Sequence, residues 1–235
     1  MSMSDAEKVS QIQVTKNGPY IVKGSLPVMM ETIAQNDEGG SWTWKRGRDF
    51  EAGAQYALCR CGHSHKKPFC DGTHAKVGFD GTETASHASY KEQAKTYDGP
   101  GMVLEDAERL CAFARFCDNG GSIWRQIEET DDGEVRKAVV HEETHCPSGR
   151  LVLLEKPSGK AVEPELAQSI GLVEDPAENC SGPLWVRGGV QVVSADGEKY
   201  EVRNRVTLCR CGQSSNKPFC DGSHASVKFH DGLQG

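Results

Sequence analysis

The stretch CRCGHSHKKPFCDGTH at 59–74 returns, little changed, as CRCGQSSNKPFCDGSH at 209–224. Each copy sets three cysteines and one histidine in the spacing C-x-C-x8-C-x3-H. Thiolates are soft ligands that suit zinc, copper(I) and iron–sulfur clusters, so four S and N donors in one short segment point to a metal. Such a set closes a tetrahedral zinc site or holds two irons. The spacing bears on the choice. Zinc knuckles usually present C-x2–4-C, which lets both sulfurs reach one ion. Cys59 and Cys61 are separated by a single residue at a strand end, where alternate side chains share a face. Cys70 and His74 are four apart, which suits one face of a helical turn. The residues thus form two pairs. Asp71 is placed to accept backbone N–H groups at the start of that turn. Gly72 lets the chain pass close to a bulky group, and Pro68 stiffens the approach.

The repeat extends upstream. Gly18-Pro19-Tyr20-Ile21-Val22-Lys23-Gly24 parallels Gly182-Pro183-Leu184-Trp185-Val186-Arg187-Gly188. A short apolar strand follows in each copy, Val28 to Met30 or Val190 to Val193, and one more leads into the motif, Gln55 to Leu58 or Val206 to Leu208. The first copy is longer by 14 residues, assigned to the Asp37–Gly40 turn and the SWTWKR stretch. Alternation and β-branched content predict strands separated by Gly, Pro, Asn and Asp turns. The expected fold class is α+β and β-rich, with the two units packed as an internal pseudo-dimer around a small α+β middle segment. The expected divisions are 1–85, 86–180 and 181–235.

The middle segment carries no second copy of the motif. Apolar residues at 104, 107, 110, 111, 114 and 117 have helical spacing, which predicts a helix from Leu104 to Cys117. Asp118-Asn119-Gly120-Gly121 ends it. Ser122 to Ile127 and Arg136 to Val140 read as strands around the Asp131-Asp132-Gly133 turn, and Leu151 to Glu155 as another strand.

Composition narrows the class. The chain has 235 residues, enough for a sizeable core. A net charge of −7 argues against nucleic acid as the main partner. No apolar run approaches the ~20 residues of a spanning helix, and MSMSDAEKVS lacks the features of a secretory signal. The expected setting is the cytoplasm, where ten cysteines read as metal or redox chemistry rather than disulfides. There is no G-x-G-x-x-G after a strand, no P-loop, no G-x-S-x-G and no H-E-x-x-H, so little in the sequence speaks for an enzyme.

The pattern C-x-C-x2-[ST]-x3-P-x-C-D-G-[STA]-H resembles the CDGSH iron–sulfur family, to which mitoNEET belongs. It is met by Cys59, Cys61, Ser64, Pro68, Cys70, Asp71, Gly72, Thr73 and His74. It is met again by Cys209, Cys211, Ser214, Pro218, Cys220, Asp221, Gly222, Ser223 and His224. The resemblance implies two 2Fe–2S clusters, one on Cys59, Cys61, Cys70 and His74 and one on Cys209, Cys211, Cys220 and His224. It also implies two packed β units, which one chain here supplies. The membrane anchor of mitoNEET has no counterpart. Cys111-x5-Cys117 and a later Cys146-Pro147 resemble a divergent single-cluster ferredoxin. They depart from the ordinary C-x2-C-x2-C-x3-C-P run, and His141, His145 and Cys180 stand at no diagnostic spacing for a fourth ligand. A further cluster on Cys111, Cys117 and Cys146 is left open.

One imidazole in place of a thiolate makes a cluster site less negative by one charge, which raises its potential. The imidazole also takes up protons near neutral pH, which can loosen the ligand. Such a site suits electron transfer, redox sensing or cluster delivery, with a redox partner or an apo iron–sulfur acceptor as the implied counterpart. The alternative is a zinc-stabilised interaction module built on the same ligands. Arg60, Lys66, Lys67, Arg210 and Lys217 flank the motifs, either to offset cluster charge and meet an acidic partner or as solvated loop residues. His63 and His65 are expected at the surface. A monomer with internal pseudo-twofold symmetry is expected.

Overall fold

The structure, a computed structural model, describes residues 10–233; MSMSDAEKV lies outside them. The two repeats form two β sheets that exchange strands. The first sheet runs β12 (Gln191–Val193), β1 (Gln11–Val14), β2 (Tyr20–Lys23) and β5 (Gln55–Leu58). The second runs β13 (Arg205–Leu208), β11 (Cys180–Arg187), β10 (Ser169–Asp175), β3 (Val28–Gln35) and β4 (Ser41–Phe50). The second half donates β12 to the first sheet and the first half donates β3 and β4 to the second, joined in each case by one parallel pairing: Gln11 lies opposite Gln191, and Ile170 opposite Val28. The strands that carry the motifs match in register, Tyr20 opposite Leu58 and Leu184 opposite Leu208, both antiparallel. The expected internal pseudo-dimer is therefore a strand-swapped one. The extra residues of the first copy lengthen β3 and add the edge strand β4.

The two sheets share one core. Ile12, Tyr20, Val22 and Leu58 of the first cluster with Ile170, Leu172, Leu184, Val206 and Leu208 of the second. Each aliphatic side chain buried there contributes roughly 1.5–3 kcal/mol, so neither half buries its apolar face without the other. Phe69 and Phe219, inside the two motifs, pack on this same core, which ties the metal-ligand loops to the sheets.

The middle segment is its own small α+β unit. A third sheet runs β6 (Lys95–Asp98), β7 (Met102–Asp106), β8 (Leu151–Glu155) and β9 (Ala161–Val162). Its inner residues Met102, Leu104, Leu151 and Leu153 pack on Ile123, Ile127 and Val139. The helix expected from Leu104 to Cys117 is absent. Met102–Asp106 is a strand that buries alternate residues, Glu108–Leu110 is one 3-10 turn, and 111–115 is irregular. Period 2 wins at 102–106 because the segment pairs between two strands; the apolar spacing further on reflects contacts to different neighbours. The strands expected at Ser122 to Ile127 and Arg136 to Val140 are helices instead, α3 (Ile123–Gln126) and α4 (Gly133–His145). Asp132 does not open a hairpin. Its carboxylate accepts the N–H groups of Glu134 and Val135 and caps α4. The strand at Leu151–Glu155 is present. Three one-turn helices complete the chain: α1 (Thr73–Lys76), α2 (Tyr90–Gln93) and α5 (Ser223–Ser226). No described helix is long and apolar enough to cross a membrane.

Candidate metal centres

Each motif begins where its strand ends. After β5, the loop turns back so that Cys59 N–H donates to the Pro68 carbonyl at 2.8 Å and Cys70 N–H to the Ala57 carbonyl at 2.9 Å. The same bonds form after β13: Cys209 N–H to Pro218 O at 2.8 Å, and Cys220 N–H to Thr207 O at 2.9 Å. The fold-back carries the third cysteine to the first two. Ser64 and Ser214 lock it by donating to the carbonyls of Phe69 and Phe219. Asp71 accepts Thr73 N–H at 3.0 Å and His65 N–H at 2.8 Å, so it holds both the helical turn and the loop. Asp221 does the same with Ser223 and Ser215.

The ligands stand in pairs. Cys59 Sγ lies 3.8 Å from Cys61 Sγ, and Cys70 Sγ lies 3.3 Å from His74 Nδ1. In the second motif the distances are 3.8 Å and 3.4 Å. Two sulfurs about 2.3 Å from one tetrahedral metal are about 3.8 Å apart, so each thiol pair has the width of a single metal's edge. Backbone amides point at the sulfurs: His63 and Gly72 donate to Cys61 and Cys70 at 3.4 Å, and Gly222 donates to Cys220 at 3.4 Å. The hydrogen bond from Cys61, helped by the amides of Ser64 and Gly62, draws the Cys59 thiol down to about 6. Cys211 and the matching amides draw Cys209 down to about 7. Both are predisposed to the thiolate that ligation needs.

The two motifs meet each other at glycine. A Cβ on Gly62 would fall 2.7 Å from the Cys211 carbonyl oxygen, and one on Gly212 would fall 2.7 Å from the Cys61 carbonyl oxygen. Both glycines have positive φ, +81° and +79°. Only glycine permits this reciprocal approach, and each motif supplies it directly after its second cysteine.

Around this shared geometry the surroundings differ. Cys220 and His224 are buried, His224 to 3% exposure, whereas Cys70 and His74 are half-buried. Burial, with Arg210 beside it, pushes the His224 imidazole down to about 4, so it stays neutral and free to ligate. Arg60 and Arg210 are neither solvated nor available to a partner. Arg60 donates to the Thr15 and Gly81 carbonyls. Arg210 donates to the Gly182 and Val173 carbonyls and pairs with Glu174 and Asp231 inside the protein. His63, His65 and Lys66 are exposed.

The remaining cysteines divide. Cys111, Cys117 and Cys146 line one small pocket with Ser148, Arg150 and Leu151. The loop from Cys111 to Cys117 curls around it, with Phe113 and Arg115 in the left-handed region at φ 55° and 61°. Among the described residues, the N–H groups of Ala112, Phe113, Ala114 and Arg115 reach no protein acceptor. Three thiols and a run of free amides are the donor set that an iron–sulfur cluster's irons and sulfides take up. Burial pushes the Cys117 thiol up to about 12, with Cys146 and Cys111 adding to the effect. Cys180, His141 and His145 do not line the pocket. Cys180 is on β11, and His145 turns Nδ1 to the His141 carbonyl. Ser148 Oγ lies 3.5 Å from Cys146 Sγ. Sequence reasoning missed the part of Phe113 and Arg115 in covering the second motif, which nothing in their own segment signals. The glycine of the shared C-R-C-G was visible in both copies.

The family model described as iron-binding zinc finger, CDGSH type, matches residues 17–75 and 181–225. A second, described as divergent 4Fe-4S mono-cluster, matches residues 97–156 and so spans the three-cysteine pocket. No curated protein matches the chain. Two motif units, alike in register and in bonding, flank a segment that matches a divergent cluster family; the chain matches the tandem form of the CDGSH family.

Proposed function

We propose that the chain is an electron carrier or cluster-transfer protein holding a 2Fe–2S cluster on each motif, through Cys59, Cys61, Cys70 and His74 and through Cys209, Cys211, Cys220 and His224. The observation that carries this reading is the pairing of ligands. Each pair spans the edge of one metal, and among the described residues no three His, Cys, Asp or Glu side chains converge as a single ion requires. Two separate pairs fit two irons better than one zinc. A bound cluster supplies one-electron redox chemistry. The protein's part is to keep Cys59 and Cys209 ready as thiolates, to direct amides at the sulfurs, and to present Nδ1 of each histidine toward its cysteine.

The pocket of Cys111, Cys117 and Cys146 supports a third cluster of the 4Fe–4S type, given its thiols, its free amides and the family that covers it. We read the protein as cytoplasmic; all ten cysteines are free, in keeping with a reducing compartment. The counterpart is a redox protein or an apo iron–sulfur acceptor, meeting the chain near the exposed His63, His65 and Lys66.

Iron, zinc and acid-labile sulfide counted on anaerobically purified protein, with visible spectra from pH 5 to 8, test this. The expected result is a coloured protein with about eight irons and eight sulfides per chain, two from each motif and four from the middle pocket. About four of each leaves the motifs loaded and removes the third cluster. Stoichiometric zinc without sulfide establishes the zinc-stabilised module instead.

A further inference from the structure

We propose that the second motif is an inner relay and the first motif the outlet, so that an electron entering at the middle pocket crosses the second site before reaching the first. This rests on the reading of all three sites as cluster sites.

The order follows from contacts. The loop that carries Cys111 lies on the second motif. A Cβ on Gly222 would stand 3.2 Å from Phe113 Cβ and 3.6 Å from the Cys111 carbonyl oxygen, and Gly222 N–H donates to Cys220 Sγ. The route from one thiol ligand to the next therefore runs from the Cys111 carbonyl to Gly222, across a gap narrow enough that a Cβ on Gly222 would fill it. Three hydrogen bonds fix the loop there. Asn216 Nδ2 donates to the Arg109 carbonyl at 2.9 Å, and Arg115 grips Asp175 of β10 through two bonds, at 2.6 Å and 3.0 Å. From the second motif the way on is the Gly62–Gly212 junction, where each glycine faces the other motif's cysteine carbonyl so closely that a Cβ would fall 2.7 Å from it. The first motif has no such cover. At Gly72, the counterpart of Gly222, an added Cβ would meet nothing within 4 Å.

The same contacts shield the relay. His224 and Cys220 are buried beneath this packing, while His74 and Cys70 reach solvent. With clusters bound, a one-electron donor of the ferredoxin or flavoprotein class would reduce the middle station by one electron; each onward step would oxidise one station and reduce the next, and a one-electron acceptor protein would oxidise the first site.

The test uses the full chain with its metal counted, reduced by dithionite and examined by electron paramagnetic resonance. Magnetic broadening of one cluster by another falls steeply with distance. In the wild-type chain the middle cluster's signal should be broadened by the second site. Cys220→Ser, which empties the second site, should narrow it; Cys70→Ser, which empties the first, should leave it broad. Broadening that survives Cys220→Ser, or that vanishes only in Cys70→Ser, overturns the order. A metal count lacking the middle cluster overturns the underlying reading, and the relay with it. Shielding gives a readout that does not depend on either variant folding. In wild-type protein a ferrous chelator should strip one motif site several-fold faster than the other, and Phe113→Ala should speed the slow phase several-fold without changing the fast one. A single rate for both sites in the wild type, or a slow phase indifferent to Phe113→Ala, overturns the assignment.

Discussion

The two motifs share their hydrogen bonds almost atom for atom, yet in the first Cys70 and His74 reach solvent while in the second their counterparts are buried. Cys59–Cys61 and Cys209–Cys211 have the same spacing, and the fold-back after β5 is repeated after β13. Inside the motif Asn216 stands where the first copy has Lys66 and holds the Arg109 carbonyl; the other differences lie in what each motif packs against. The second has Arg210 between two buried carboxylates and the Phe113 loop over Gly222; the first has Arg60 among carbonyls and open space over Gly72. The difference teaches that a local ligand loop sets which metal group binds, while its neighbours set who can reach it.

The largest expected effect sharpens this contrast at the two arginines. Arg210→Met leaves Glu174 and Asp231 without their guanidinium inside the protein, and should cost about 3–5 kcal/mol in urea unfolding. Arg60→Met forfeits hydrogen bonds to neutral carbonyls and should cost about 1–3 kcal/mol. Equal losses would break the comparison.

At the junction the halves should instead behave alike. Gly62→Ala and Gly212→Ala each force a Cβ against a facing carbonyl at positive φ, where strain of about 1–3 kcal/mol is expected. Thermal unfolding should show two matched losses, and unequal ones would mean that the junction is not symmetric.

Helix α4 gives a baseline away from both motifs. Burial pushes the Glu142 carboxyl up to about 8, and its Oε2 has no hydrogen-bond partner. The folded pKa lies above the unfolded one, so the stabilising proton is held below about 4.5 and is lost as pH rises toward 8. Stability should thus decline across that window. Glu142→Gln should flatten the decline, gaining on the order of 1–2 kcal/mol over wild type at pH 8, with cluster loss from the motifs unchanged. A variant with the wild-type pH slope would remove Glu142 as its source.

The smallest effect probes the cover itself. Gly72→Ala meets only backbone strain, about 1 kcal/mol, whereas Gly222→Ala also presses on Phe113. A difference of several tenths of a kcal/mol in the same unfolding assay is expected, and Phe113→Ala should abolish it.

Much of the candidate site was legible because its geometry is local. A strand end places Cys59 and Cys61 on one side, and a helical turn places Cys70 and His74 on another, whatever the rest of the chain does. The core strands were legible for the same reason: alternation over Gln55–Leu58 or Leu151–Glu155 is a nearest-neighbour signal. The middle segment misled because its apolar residues serve several surfaces. Leu104 faces the third sheet's core, Leu110 the core shared by the two motif sheets, and Ala114 a cluster with Trp185, so their helical spacing records no single face.

The sequence alone determined the candidate ligand set, the doubling of the motif and the β character of both halves, since each depends on residues within a few positions of one another. Only the tertiary structure decided the strand exchange, the gathering of Cys111, Cys117 and Cys146 around one pocket, and the burial of His224 beside a half-exposed His74. Those rest on contacts between segments far apart in the chain, made where apolar faces left uncovered by one half are closed by another, and no short-range pattern encodes which face will meet which.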